Sequence, residues 1–152
     1  MKSLKNIFYL FFPLLIGGLS SLFSGDFSNT YDTLTKPLFS PPSWVFGVVW
    51  TLLFLLMGIS YYLIKKNYSY SDYNASFWYY LQLFLNFTWS IIFFRFKLFT
   101  FSFIWLIVLL FTIVITYIKF KKINKISAYL LIPYIVWVIF AGYLNLMISI
   151  LN

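Results

Sequence analysis

The sequence contains no cysteine and no histidine, and only three acidic residues among its 152. The first absence removes disulfides and thiol chemistry; the second removes the usual general base and the commonest metal ligand. The apolar runs hold no carboxylate pair, no Ser/His/Asp set and no glycine-rich phosphate loop, so ordinary acid–base or nucleophilic catalysis is not expected. Charge is scarce as well, at 9% of residues, against about 25% in a soluble domain. With 62% hydrophobic residues and a mean hydropathy of +0.90, the composition is that of a membrane protein.

What is present is a series of long apolar runs punctuated by Pro13, by the adjacent Pro41 and Pro42, and by Pro133. Each run approaches the roughly 20 residues that cross a bilayer. Five spans are expected, at about residues 7–23, 44–64, 76–94, 98–118 and 126–151. The fold class is therefore an all-α integral membrane protein, a single bundle of five transmembrane helices forming one domain over residues 1–152. No A-x-A cleavage site follows the first run, which is read as a span and not as a signal peptide. A long loop, GDFSNTYDTLTKPLFS, joins helices 1 and 2 and holds Asp26 and Asp32. Loops of this length are usually functional or disordered.

The net charge of +8 does not point to nucleic acid, because the cations cluster beside the apolar runs. There they orient helices and meet anionic headgroups. Lys2, Lys5, Lys65, Lys66, Lys119, Lys121, Lys122 and Lys125 fall on one side, and Lys36, Arg95 and Lys97 on the other. This bias places the N-terminus in the cytoplasm, with the long loop and the C-terminus external.

Polar side chains inside a span are costly unless they pair or line a cavity, so each one is informative. In QLFLNFTWS, Gln82, Asn86 and Trp89 share one helical face. Trp137, Ala141, Leu144 and Asn145 do the same in the fifth span, and Phe46, Trp50, Phe54 and Met57 in the second. At about 1.5 Å per residue, Trp50, Asn86, Trp89 and Asn145 lie about 8–12 Å below the external end, and Trp137 about 21 Å below it as a floor. One cavity shared by the second, third and fifth spans is expected, with core packing and helix-to-helix hydrogen bonding as the competing readings of the same residues. Trp44 and Trp78, at span ends, suit the interfacial aromatic belt. Pro13, Gly17, Ser20 and Ser24 form a small-residue face on the first span, read as a close-packing surface. Trp105 shares a face with Thr112 and Thr116 and is also read as packing. The site so described offers flat aromatic surface and amides, with Lys36, Arg95 and Lys97 at its mouth. It suits a planar apolar ligand carrying an acidic group.

Three segments in series, KPLFSPPSWVFGVVWTLLFLLMG, QLFLNFTWSIIFF and PYIVWVIFAGYLNLMISILN, resemble the tryptophan-rich sensory protein or translocator protein family (TspO/MBR, peripheral-type benzodiazepine receptors) over essentially the whole chain. The resemblance implies a five-helix bundle in a bacterial cell membrane, with a pocket under the first loop for porphyrins and haem-related tetrapyrroles, or for sterols and benzodiazepine-type ligands in some members. It implies a receptor or sensor of tetrapyrroles that requires no cofactor. Light-dependent porphyrin breakdown involving Trp50 and Trp137 is a further implication, and transport of porphyrins or other lipophilic molecules is the alternative. Trp50 and Trp137 would face the ligand, Asn86, Trp89 and Ala141 would line the pocket, Tyr31 would come from the loop, and a homodimer is expected. With the faces described above, the ligand-binding set is Tyr31, Phe46, Trp50, Phe54, Gln82, Asn86, Trp89, Trp137, Ala141 and Leu144, with no metal site. The chain departs from the family pattern at Phe39, where Trp is usual, at Phe96, where Pro is usual, and at Trp105, where an acid is often found.

Overall fold

The computed structural model describes residues 2–67 and 73–152, and among these every regular element is helical. The long elements are α1 (Lys2–Ser24), α3 (Ser43–Asn67), α4 (Tyr73–Ser90), α5 (Phe99–Ile123) and α7 (Ile132–Leu151). The short ones are α2 (Phe27–Thr33) and α6 (Lys125–Tyr129). Four stretches are long and apolar enough to cross a membrane: Leu4–Ser24, Ser43–Lys66, Phe99–Ile123 and Lys125–Leu151. The protein is thus an all-helical integral membrane protein. α4 is shorter but runs on into a π-helical turn, Ile91–Arg95.

Pro13 lies inside α1, as the expected first span requires, and packing against neighbouring helices tolerates the lost backbone hydrogen bond. Several local expectations are corrected. The first loop is not all loop. Asp26 caps α2, its carboxylate accepting from the Asn29 amide at 3.2 Å, an interaction that favours a helix start. The basic segment after the fourth span is largely helical, because α5 continues through Lys122 and only Asn124 leaves the helix to cap α6. The last span is broken at Leu130 and Leu131, and Pro133 lies in the first turn of α7, where a missing amide proton costs little. The expected loop at residues 65–75 is shorter than read: α3 runs on through Asn67 and α4 begins at Tyr73, and residues 68–72 lie outside the described residues.

Around the bundle, α1 packs on α3 and α4, α4 on α5, and α5 on α6 and α7. α6 touches α3 and closes the ring, through reciprocal hydrogen bonds between Ser60 and Ser127. α3 and α7 meet instead through large aromatic side chains, Phe46 with Trp137 and Trp50 with Tyr134. Glycine decides how closely α1 and α3 approach. A Cβ on Gly58 would overlap the backbone of Leu10, and one on Gly17 would overlap the Phe54 ring.

Candidate functional site

A cavity of about 300 Å³ lies in the half of the bundle capped by α2. Gly17, Gly18, Ser20, Ser21 and Ser24 of α1 form one wall, and Phe46, Gly47, Trp50, Thr51 and Phe54 of α3 form a second. Asn86, Trp89 and Ser90 of α4 form a third, and Phe27 and Phe94 roof the space. The aromatic wall is continuous, with Trp50 stacked on Phe54 at 5.6 Å between centroids and tilted against Trp89 at 6.3 Å. The opposite wall is hydroxylic. Ser20 donates to the Phe87 carbonyl at 2.9 Å and pairs with Ser90, which also meets Ser24. Among the described residues, no charged side chain lines the cavity.

The expected walls were therefore partly wrong. α1, read as a packing face, supplies a wall, and the fifth span supplies none. Gly17 and Ser20 do pack closely, as their size requires, but in this half of the bundle they border open space. Small residues at helical spacing serve both purposes, and only the tilt of α1 against α3 separates them.

The buried amides are satisfied within the protein. Tyr134, which sequence reasoning passed over, donates to Gln82 Oε1 at 2.8 Å and accepts from Asn86 Nδ2 at 2.7 Å. Gln82 Nε2 points at the Met57 sulfur, 3.9 Å away. Trp89 Nε1 donates to Asn145 Oδ1 at 3.1 Å, Ser102 donates to the same oxygen, and Asn145 Nδ2 donates to the Phe99 carbonyl. Gln82 is thus a helix-to-helix hydrogen-bonding group that lines no void, Asn145 is one that borders only a second, smaller void, and Asn86 is both such a group and a lining residue of the cavity.

Tyr31, Ala141 and Leu144 border a second, much smaller void of about 20 Å³, which shares Phe46, Trp89 and Phe94 with the main cavity. Trp137 lines neither and is not a floor. Its ring lies behind Phe46 and beside Phe140, and its Nε1 is buried without a hydrogen-bond partner. Phe46 thus stands between Trp137 and the cavity.

Above these voids the first loop is tied down. The Tyr31 hydroxyl donates to the Pro41 carbonyl at 2.7 Å, and its ring packs on Phe46. Burial pushes that hydroxyl's pKa above the usual phenol range, with the Ser40 hydroxyl pulling it partly back. The Thr35 backbone forms two hydrogen bonds with the Asn152 side chain, and Tyr143 donates to the Leu38 carbonyl. Two of the three cations assigned to the mouth have structural partners. Lys36 donates to the carbonyls of Tyr31, Asp32 and Leu34 at the end of α2, and Arg95 donates to Phe23 O at the end of α1. Both suit the negative end of a helix dipole.

The family profile described as TspO/MBR matches residues 9–151. The chain belongs to the TspO/MBR family. It is 36% identical to the tryptophan-rich protein TspO of Archaeoglobus fulgidus, over all of this chain and 99% of that one. It is 33% identical to the protein of the same name from Bacillus cereus, over 99% of this chain and 97% of the relative. It is 32% identical to the translocator protein of Homo sapiens, over 80% and 73% respectively. The residues expected to depart from the family pattern, Phe39, Phe96 and Trp105, line neither void. Phe39 is 87% exposed with φ of 67°, outside both voids. Phe96 follows the π-helical turn. Trp105 joins α5 to α4 by donating to Thr88 Oγ1 at 2.9 Å and to the Leu85 carbonyl.

Proposed function

We propose that this TspO/MBR protein is a membrane receptor or sensor for tetrapyrroles, held in the cavity between α1, α3 and α4. The observation that carries the reading is the Trp50, Phe54 and Trp89 wall facing open space, with no charged side chain among the described residues at that site. A planar apolar ring stacks on such a wall and is oriented by the few polar groups opposite it. At about 300 Å³ the cavity is at the lower end of the range for ligand pockets. A macrocycle therefore needs the aromatic seam between α3 and α7 to part at Phe46, merging the two voids.

In the merged site Phe46, Trp50, Phe54, Asn86 and Trp89 touch the ligand, and Tyr31, Ala141 and Leu144 complete the far side. Gln82 positions Asn86 through Tyr134, and Trp137 is uncovered only when Phe46 moves. Acidic substituents point toward the α2 end, where Arg95 and Lys97 lie. Free-base porphyrin is the expected ligand before haem, since iron would depend on Tyr or Met for a protein ligand. Any light-driven breakdown is chemistry of the pigment, with Trp50 and Trp137 as the nearby oxidisable rings.

In this reading α4 with its π-helical turn is the third of five spans. The N-terminus is cytoplasmic, the α2 end is external, the membrane is a bacterial-type cell membrane, and the protein forms a homodimer. Titration of the purified protein with free-base protoporphyrin tests the ligand assignment. Trp fluorescence should quench saturably, and Trp50→Phe should weaken the apparent affinity by about tenfold, the scale of one lost ring contact. Quenching that never saturates overturns it.

A further inference from the structure

We infer that ligands reach the cavity sideways from the bilayer, through a gap between α1 and α3, and not from water beneath the first loop. The inference rests on reading the cavity as the ligand site. Gly47, Thr51 and Gly58 lie on one face of α3, opposite α1. At Gly58 the two backbones touch, since a Cβ there would overlap Leu10. Nearer the α2 end they have separated: Gly47 and Gly18 each have nothing within 4 Å of a Cβ position, and both line the cavity. Ser21 and Thr51 line it too, and all four residues are exposed on the outside of the bundle. The cavity is therefore continuous with the surroundings between these helices.

Those surroundings are lipid. Gly18 is six residues from the end of α1, and Gly47 and Thr51 are four and eight residues past Ser43. At 1.5 Å per residue the gap lies about 6–12 Å below the helix ends, within the hydrocarbon slab that helices of this length cross. Leu15 and Leu22 on α1, and Val48 and Leu52 on α3, continue outward from it as exposed apolar side chains. The water side is closed by contrast. Phe27 roofs the cavity with its ring against Phe46 and Phe94, and the loop above is fixed at Thr35, Leu38 and Pro41. The ligand class is a lipophile dissolved in the bilayer, with its polar end taken by the hydroxyls of Ser20, Ser24 and Ser90 on the inner wall.

The chain has no cysteine, so Ser90→Cys places a single thiol on that wall. In phosphatidylcholine vesicles, its alkylation by a bilayer-dissolved pyrene maleimide should slow at least about tenfold when Gly47→Leu fills the gap, as for any constricted encounter. Loosening the loop with Asn152→Ala should not change it. An unchanged rate in Gly47→Leu, or a faster one in Asn152→Ala, overturns lateral access. A parallel arm follows the onset of protoporphyrin quenching with Ser90 intact, which Gly47→Leu should also slow. If the thiol arm responds but the parent protein shows no saturable quenching, the gap stands and the tetrapyrrole assignment falls. If quenching saturates but neither rate responds, the reverse holds.

Discussion

The indole N–H of Trp89 is 3.1 Å from Asn145 Oδ1, so the ring that borders both voids is locked by its own protein and offers a ligand its face only. Removing the acceptor should loosen it. Asn145→Leu leaves the buried Trp89 N–H without its acceptor, while Ser102 and the Phe99 carbonyl still pair with each other. The expected cost is about 1–2 kcal/mol, the penalty of one stranded donor together with the lost helix-to-helix bonds. Thermal unfolding in detergent measures it, and a loss under a few tenths of a kcal/mol would count against the network.

The two glycines facing α1 from α3 should respond in opposite ways. Gly58→Ala drives a methyl into the Leu10 backbone, which cannot yield cheaply, and should destabilise by about 1–3 kcal/mol. Gly47→Ala meets open space and gains helix propensity, so its stability should be equal or higher by up to about 1 kcal/mol. Equal unfolding temperatures for the two variants would contradict the splay of α1 from α3.

Trp137 and Trp105 offer a matched comparison. The N–H of Trp137 is buried without a partner, whereas that of Trp105 bonds Thr88 and Leu85. Trp137→Phe removes an unsatisfied donor as well as ring area, and should cost less than Trp105→Phe by about 1 kcal/mol. The same detergent melts decide the order.

The Asn152 side chain holds Thr35 by two backbone hydrogen bonds, at 3.1 and 2.8 Å. Asn152→Ala should therefore raise amide hydrogen exchange across residues 27–36 while leaving α3 and α5 protected. Exchange unchanged in that segment would mean that the Tyr31 and Lys36 contacts suffice to hold it.

The amino-acid sequence alone determined the class of protein, the approximate place of each long helix and the residues worth attention, because hydropathy and scarce polar groups in a bilayer are one-dimensional signals. Trp50, Asn86 and Trp89 were legible in this way, being polar or indole groups on one face at a depth where neither is cheap. Periodicity fixes a face but not the rotation and tilt of a helix against its neighbours, and these decided the site. Tilt opened α1 from α3 above Gly58 and turned the Gly17 to Ser24 face from packing surface into cavity wall. Packing put Phe46 in front of Trp137, and the Tyr134 hydroxyl between Gln82 and Asn86, drawing Gln82 out of the pocket that its spacing suggested. The cations near the mouth were visible in the sequence, but only the folded ends of α1 and α2 presented the carbonyls that claim Arg95 and Lys36.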